Sequence, residues 1–161
     1  MKNKVKIKMT KELVAPCGMN CALCITYLAM MYDAKPKGVK VPYCKGCRPR
    51  GKMCAFIKKK CTLLKTDNNM SCYQCKKFPC RNLEHLDAKY KIKYKTSLIE
   101  NNENIKKVGM EKFLKAQAKK SRCPRCGGIL SVHNNACFEC DLDWIRKNTW
   151  HRLKKDVKKT N

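Results

Sequence analysis

The chain is organised around a cysteine-rich stretch, which reads CGMNCALC at 17–24, CKGC at 44–47 and SCYQCKKFPC at 71–80. The N-terminal segment before it is basic and lacks the apolar core of a secretory signal, and no run of about 18 apolar residues could span a membrane. We therefore expect a cytoplasmic protein with reduced thiols. In that setting, Cys-x-x-Cys pairs are more typical of metal ligands than of disulfides.

The core of the chain is expected to be thin. Aromatic residues make up only 7% of 161 residues, so metals would have to supplement hydrophobic burial. We predict a small α+β metal-stapled protein, with a mostly helical or irregular cysteine-rich N-terminal module and a C-terminal β zinc ribbon followed by a helix. The predicted units are a basic arm (1–14), the cysteine-rich module (15–88), a basic strand or helical linker (89–120), the ribbon (121–140) and a basic helix (141–161).

The clearest motif is RCPRCGGILSVHNNACFEC at 122–140. Two Cys-x-x-Cys pairs are separated by an apolar and turn-forming stretch, a spacing typical of a closed, tetrahedral, structural zinc site. We predict that Zn²⁺ is bound by Cys123, Cys126, Cys137 and Cys140. With four thiolates available, His133 is expected to have a structural role.

Ten further cysteines lie in the N-terminal module, enough for two four-thiolate sites with two residues left over. One set is predicted to contain Cys21, Cys24, Cys44 and Cys47. A second set would contain Cys54, Cys61, Cys72 and Cys75, with Cys17 and Cys80 as alternate or additional ligands. Spacing alone does not decide the pairing, and thiolates bind Zn²⁺ and iron–sulfur clusters alike.

Several helices are expected around these motifs. The apolar run 22–32 predicts a buried helix, and a short helix is expected from Cys80 through Leu86. The segment KYKIKYK at 89–95 alternates lysine with Tyr90, Ile92 and Tyr94. It is either a strand-like segment that stacks on single-stranded nucleic acid or an amphipathic element with its tyrosines inward. Two helices separated by Gly109 should follow, and Asp141 or Asp143 should cap the last helix.

The charge is extreme, with 38 Lys and Arg against 12 Asp and Glu and a net charge of +26. Repulsion among these positive charges opposes a compact fold, and binding to a polyanion would relieve it. The counterions released from the polyanion would drive the binding. We therefore predict an RNA-binding protein that binds ribosomal RNA beside neighbouring ribosomal proteins. The predicted RNA contacts are Arg48, Arg50, Lys52, Lys58, Lys59, Lys60, Arg122, Arg125, Lys154 and Lys155.

The motifs CGMNCALC, CKGC, the spaced Cys54 and Cys61, and SCYQCKKFPCRNL together resemble an uncharacterised family of small cysteine-rich proteins from archaea and anaerobic bacteria. The resemblance covers 15–86, and some members end in a ribbon similar to 121–140. It implies a shared metal-binding fold and brings no activity.

Two alternatives to RNA binding stay open: an iron–sulfur redox or accessory protein of an anaerobe, and a DNA-binding transcription factor. The spacing of Cys17, Cys21 and Cys24 matches radical S-adenosylmethionine enzymes, but no run of βα units follows it. The sequence offers no paired acid and base, so neither an enzymatic activity nor a small-molecule substrate is predicted.

Overall fold

A computed structural model describes residues 5–51, 61 and 70–148. Within these ranges there are α-helices α1 (Ile25–Met31), α2 (Arg81–Tyr94), α3 (Leu98–Val108), α4 (Met110–Lys120) and α5 (Leu142–Lys147), and 3₁₀ turns at Lys11–Leu13, Cys21–Leu23 and Cys72–Gln74. The helix predicted within 22–32 is confirmed over Ile25–Met31, and the break at Gly109 is confirmed. None of the described helices has the length and hydropathy needed to cross a bilayer.

The predicted α+β class and C-terminal β ribbon are wrong. In the described part of the chain there is no strand or sheet, and the fold is mostly helical and irregular. Between 121 and 140 the backbone forms only isolated antiparallel bridges, Arg122 to Ile129 and Leu130 to Cys137. The Val132 N–H donates to the carbonyl of Leu23 at 2.9 Å, so this backbone is partly bonded to the N-terminal module rather than to itself.

The segments predicted as an N-terminal module and a C-terminal ribbon share one hydrophobic cluster. Buried side chains of α1, including Ile25 and Leu28, pack in the same cluster as Phe138 and Ile145. The rings of Tyr32 and Phe138 stack with centroids 5.4 Å apart. Unfolding of residues 136–145 would therefore remove part of the hydrophobic packing against α1.

His133 joins the two segments. Its side chain is buried, and its Nδ1 accepts a hydrogen bond from the backbone N–H of Ile25 at 3.3 Å. The rings of Tyr90 and Tyr94 contact the same imidazole in T-shaped arrangements. Burial lowers the pKa of His133 to about 4, which keeps the imidazole neutral and able to accept this bond.

The stability of the fold should depend on pH through His133. An unfolded histidine takes up its proton near pH 6.5, whereas the folded one does so near pH 4. The contribution of neutral His133 to the free energy of unfolding is therefore complete above about pH 6.5 and is lost as pH falls towards 4. We expect the free energy of unfolding to fall by about 2 kcal/mol between pH 7 and pH 5. Urea unfolding at several pH values measures it. His133→Asn, which keeps an acceptor, should flatten the dependence, and an equally steep variant would contradict the assignment.

Helix α2 is longer than predicted and continues through 89–94, so the strand-like interpretation of KYKIKYK is wrong. Tyr90 and Tyr94 are four residues apart on one helical face, where they contact each other and His133. Ile92 lies on another face and is 74% exposed. The alternative with inward tyrosines is the one observed.

Asp87 on α2 is hydrogen-bonded to the first residues of α3. Its buried carboxylate accepts hydrogen bonds from the Ser97 hydroxyl at 2.8 Å and from the backbone N–H groups of Leu98 at 2.6 Å and Ile99 at 3.1 Å. These N–H groups open α3 and have no partner inside the helix. The lysine-rich α2 is thereby held against the element that supports the cysteine motifs.

Candidate metal centre

Four cysteines converge near the C-terminal end of the described chain, as predicted. The sulfurs of Cys123, Cys126, Cys137 and Cys140 all lie within 4.8 Å of one another. We call this group the C-terminal cluster. Cys126 and Cys137 are 3.5 Å apart and Cys123 and Cys140 are 4.0 Å apart, measured between sulfurs. Four sulfurs about 2.3 Å from a tetrahedral zinc ion would be about 3.8 Å apart, so the group fits such an ion.

The backbone of the C-terminal cluster is shaped for thiolates. The N–H of Gly128 donates to the sulfur of Cys126 at 3.3 Å. A Cβ at Gly128 would lie 3.2 Å from that sulfur and 3.3 Å from the sulfur of Cys137. Glycine therefore gives the backbone room to approach both ligands.

The thiols of the C-terminal cluster differ in how readily they lose a proton. Burial raises the pKa of Cys137 to about 12. For Cys123 burial also raises the pKa, but the backbone N–H groups of Cys126 and Arg125 outweigh it and lower the pKa to about 7. One thiolate is thus accessible near neutral pH, and a metal ion would favour the deprotonated form of the others.

Asp141 supports the C-terminal cluster in a way that the sequence did not indicate. It occupies the position before α5, as predicted for a cap, but its side chain makes no capping bond. Its carboxylate instead accepts from the Cys137 N–H at 2.8 Å and forms an ion pair with Arg125. Arg125, a predicted RNA contact, therefore also holds together the two ends of the cluster.

The first predicted N-terminal set also comes together in pairs. The N–H of Cys47 donates to the sulfur of Cys21 at 3.4 Å, and the N–H of Gly46 donates to the sulfur of Cys44 at 3.4 Å. The hydrogen bond with Cys47, together with burial, raises the pKa of Cys21, and burial raises the pKa of Cys24, beside Cys44. As metal ligands these four residues stay a prediction.

A different group forms around the second predicted set. Cys61, Cys72 and Cys75 line one small cavity together with Cys80, which had been an alternate ligand. We call these four the cavity cysteines. Burial, and then the neighbouring thiols of Cys80, Cys61 and Cys75, raise the pKa of Cys72 to about 12. Cys54 lies outside the described residues.

Arg48, one of the predicted RNA contacts, is hydrogen-bonded within the protein. Its guanidinium donates to the carbonyl of Val14 at 2.6 Å, to the hydroxyl of Ser71 at 2.9 Å and to the carbonyl of Met70 at 3.4 Å. Burial lowers its pKa, and the nearby thiols of Cys17 and Cys72 oppose that shift. Arg48 therefore links three segments of the cysteine-rich module.

Replacing Arg48 by alanine should destabilise the protein by about 3 kcal/mol, because it removes charge-assisted hydrogen bonds and leaves buried acceptors without donors. The exposed neighbour Arg50 provides the matched control, and Arg50→Ala should change stability by less than about 0.5 kcal/mol. Urea unfolding compares the two. Equal effects of the two substitutions would show that Arg48 is a surface residue in solution.

The other predicted RNA contacts divide into two groups. Arg50 and Arg122 are exposed. Trp144, which was not among the predicted contacts and follows the C-terminal cluster closely in sequence, is 46% exposed. The remaining candidates lie outside the described residues: Lys52, Lys58, Lys59, Lys60, Lys154 and Lys155.

Comparison with known proteins identifies one similarity. Residues 13–85 match the model of a cysteine-rich family described as "Protein of unknown function (DUF3795)". The match contains all ten N-terminal cysteines and ends before the C-terminal cluster. No curated protein matches the chain, and no solved structure matches it.

Proposed function

We propose that this chain is a cytoplasmic, zinc-stapled protein that binds RNA, with ribosomal RNA and neighbouring ribosomal proteins as its partners. The cysteines would hold metal and take no part in a reaction. Zinc bound by the C-terminal cluster would hold the segment that carries Arg122 and precedes α5. The arginines and lysines around that scaffold would contact the RNA.

The observation that carries this proposal is the placement of the lysines. Every lysine in the described part of the chain is exposed, in a protein with 38 basic and 12 acidic side chains. Charge of one sign spread over a thin core opposes compaction, and binding to phosphates relieves that repulsion.

The exposed side chains suit RNA contacts near the C-terminal cluster. Arg122 and Trp144 offer a phosphate-binding guanidinium and an aromatic ring that could stack on an unpaired base. RNA would be recognised mainly through its phosphates and the shape of its helices, with stacking where bases are unpaired.

The test is sedimentation of the native protein from a cell lysate through a sucrose gradient, at low and at high salt. We expect co-migration with a ribosomal subunit at low salt and release at high salt. Migration as a small protein at both salts would refute ribosome association. A brown, iron-containing preparation under anaerobic conditions would favour the iron–sulfur alternative.

Charge-reversal variants then locate the contact. The pair Arg50→Glu and Arg122→Glu should reduce the slope of log affinity against log salt by about 2. Lys106→Glu with Lys107→Glu on α3 makes the same change in net charge and should leave the slope closer to that of the unmodified protein. Equal effects of the two pairs would contradict a localised contact, and equal affinity for duplex DNA would contradict RNA specificity.

A further inference from the structure

A small apolar cavity lies between the cavity cysteines. It has a volume of about 40 Å³, and Phe78 and Leu83 are among the residues that complete its wall. The space exceeds the roughly 10–15 Å³ that one water requires, but a water also needs polar partners. An organic ligand usually occupies a pocket of about 300 Å³ or more. The chemistry that suits this wall is that of a cation with affinity for sulfur.

Two hydrogen bonds of the loop at Cys72 and Cys75 each have a counterpart in the C-terminal cluster. The N–H of Lys77 donates to the sulfur of Cys75 at 3.4 Å, as the N–H of Gly128 does to Cys126 two residues before it. The N–H of Cys75 also donates to the carbonyl of Cys72 at 3.0 Å, as Cys140 does to Cys137 at 3.2 Å. A backbone that points N–H groups at sulfur favours the thiolate, which is the form that binds metal.

Two further features fix the positions of Cys72 and Cys80. The N–H of Cys72 is bonded to the carbonyl of Pro16 at 2.8 Å, which ties this loop to the first cysteine motif. Cys80 precedes the 14-residue helix α2 as its N-cap residue. The positive end of a helix dipole stabilises a thiolate there.

From the cavity, the shared hydrogen bonds and the helix end, we propose that Cys61, Cys72, Cys75 and Cys80 form a second metal site that binds one zinc ion. Cys80, predicted from the sequence as an alternate ligand, then takes the place predicted for Cys54. No three of these sulfurs are as close together as those of the C-terminal cluster, the one group within 4.8 Å among the described residues. Zinc binding would draw them inward around the cavity. This site does not depend on RNA binding.

Single variants of the full chain test the ligand set. Cys80→Ser should lose one zinc per chain relative to the unmodified protein, whereas Cys54→Ser should keep it. Zinc and protein are quantified in anaerobically purified, zinc-supplied samples by native mass spectrometry. Loss of zinc in Cys54→Ser with retention in Cys80→Ser would overturn the assignment.

A second comparison tests whether two separate ions are bound. The pair Cys72→Ser and Cys75→Ser should lose one zinc, the pair Cys126→Ser and Cys137→Ser should lose a different one, and the four changes together should lose two. An unchanged zinc content in the first pair would refute the site. Iron and acid-labile sulfide in place of that zinc would refute the single-ion assignment.

An alkylation experiment on the unmodified protein tests the same site without variants, which could fail to fold. Iodoacetamide labelling with peptide mass spectrometry should show all four cavity cysteines protected with zinc and reactive together once a chelator removes one ion. If the four become reactive at different stages of zinc removal, they do not share one ion.

Discussion

Replacing Cys137 by serine is expected to remove one zinc ion and to unfold the region around the C-terminal cluster. Cys137 is fully buried and its sulfur lies 3.5 Å from that of Cys126, so no other residue can take its place without rearrangement. Apparent zinc-binding free energies of structural sites are about 10–16 kcal/mol, as large as the whole stability of a typical domain, about 5–15 kcal/mol.

The destabilisation caused by Cys137→Ser should extend beyond the C-terminal cluster. Phe138 follows Cys137 directly and packs with Ile145 and α1 in one hydrophobic cluster. We expect lower zinc content, a lower urea midpoint and loss of the tertiary signal from Tyr32 stacked on Phe138. Glu139→Gln, an exposed change in the same motif, should retain zinc and stability. Full zinc content and an unchanged midpoint in Cys137→Ser would show that the cluster holds no structural ion.

Gly18→Ala is expected to destabilise the protein by about 3 kcal/mol or more, because two separate penalties apply. Gly18 has a φ of +89°, where residues with a Cβ are strained by about 1–3 kcal/mol. A Cβ there would also lie 2.5 Å from the side-chain nitrogen of Asn102 and 2.7 Å from the carbonyl oxygen of Leu98. These are buried atoms of α3, and overpacking of this kind costs about 1–3 kcal/mol.

The matched control for Gly18 is Gly51. Its φ is +59°, but a Cβ at this exposed residue would meet no atom within 4 Å. Gly51→Ala should therefore show the conformational penalty alone, about 1–2 kcal/mol. Urea unfolding of both variants separates strain from the close approach to α3. Equal losses would mean that α3 moves away from Gly18 easily in solution.

The position of Asn102 explains why this approach is so close. Its side chain is fully buried, donates to the carbonyl of Leu98 at 2.9 Å and accepts from the N–H of Tyr73 at 3.2 Å. Asn102 thus connects α3 to the loop of Cys72 and Cys75, while Gly18 lets the first cysteine motif pack on it. The motif CGMNCALC alone does not indicate that α3 is the neighbour of Gly18.

Local spacing determined the C-terminal cluster. Two Cys-x-x-Cys pairs with 10 residues between them can converge whatever surrounds them, so the candidate ligands followed from the sequence alone. The β ribbon did not follow, because the Val132 N–H bonds to Leu23 from a distant segment and only single bridges remain. Similarly, KYKIKYK alternates like a strand, but the i, i+4 spacing of Tyr90 and Tyr94 also suits a helix, and packing against His133 accompanies the helical form.

The sequence by itself determined the chemistry of this protein: its abundance of thiols, its positive charge and the four cysteines of one candidate metal centre. Only the tertiary structure decided how distant residues are used. It turned Arg48 inward, because the acceptors at Val14, Met70 and Ser71 meet only in the folded chain. It also placed Cys80 beside Cys61, Cys72 and Cys75. Long-range pairing depends on how the segments pack, which residue spacing does not encode.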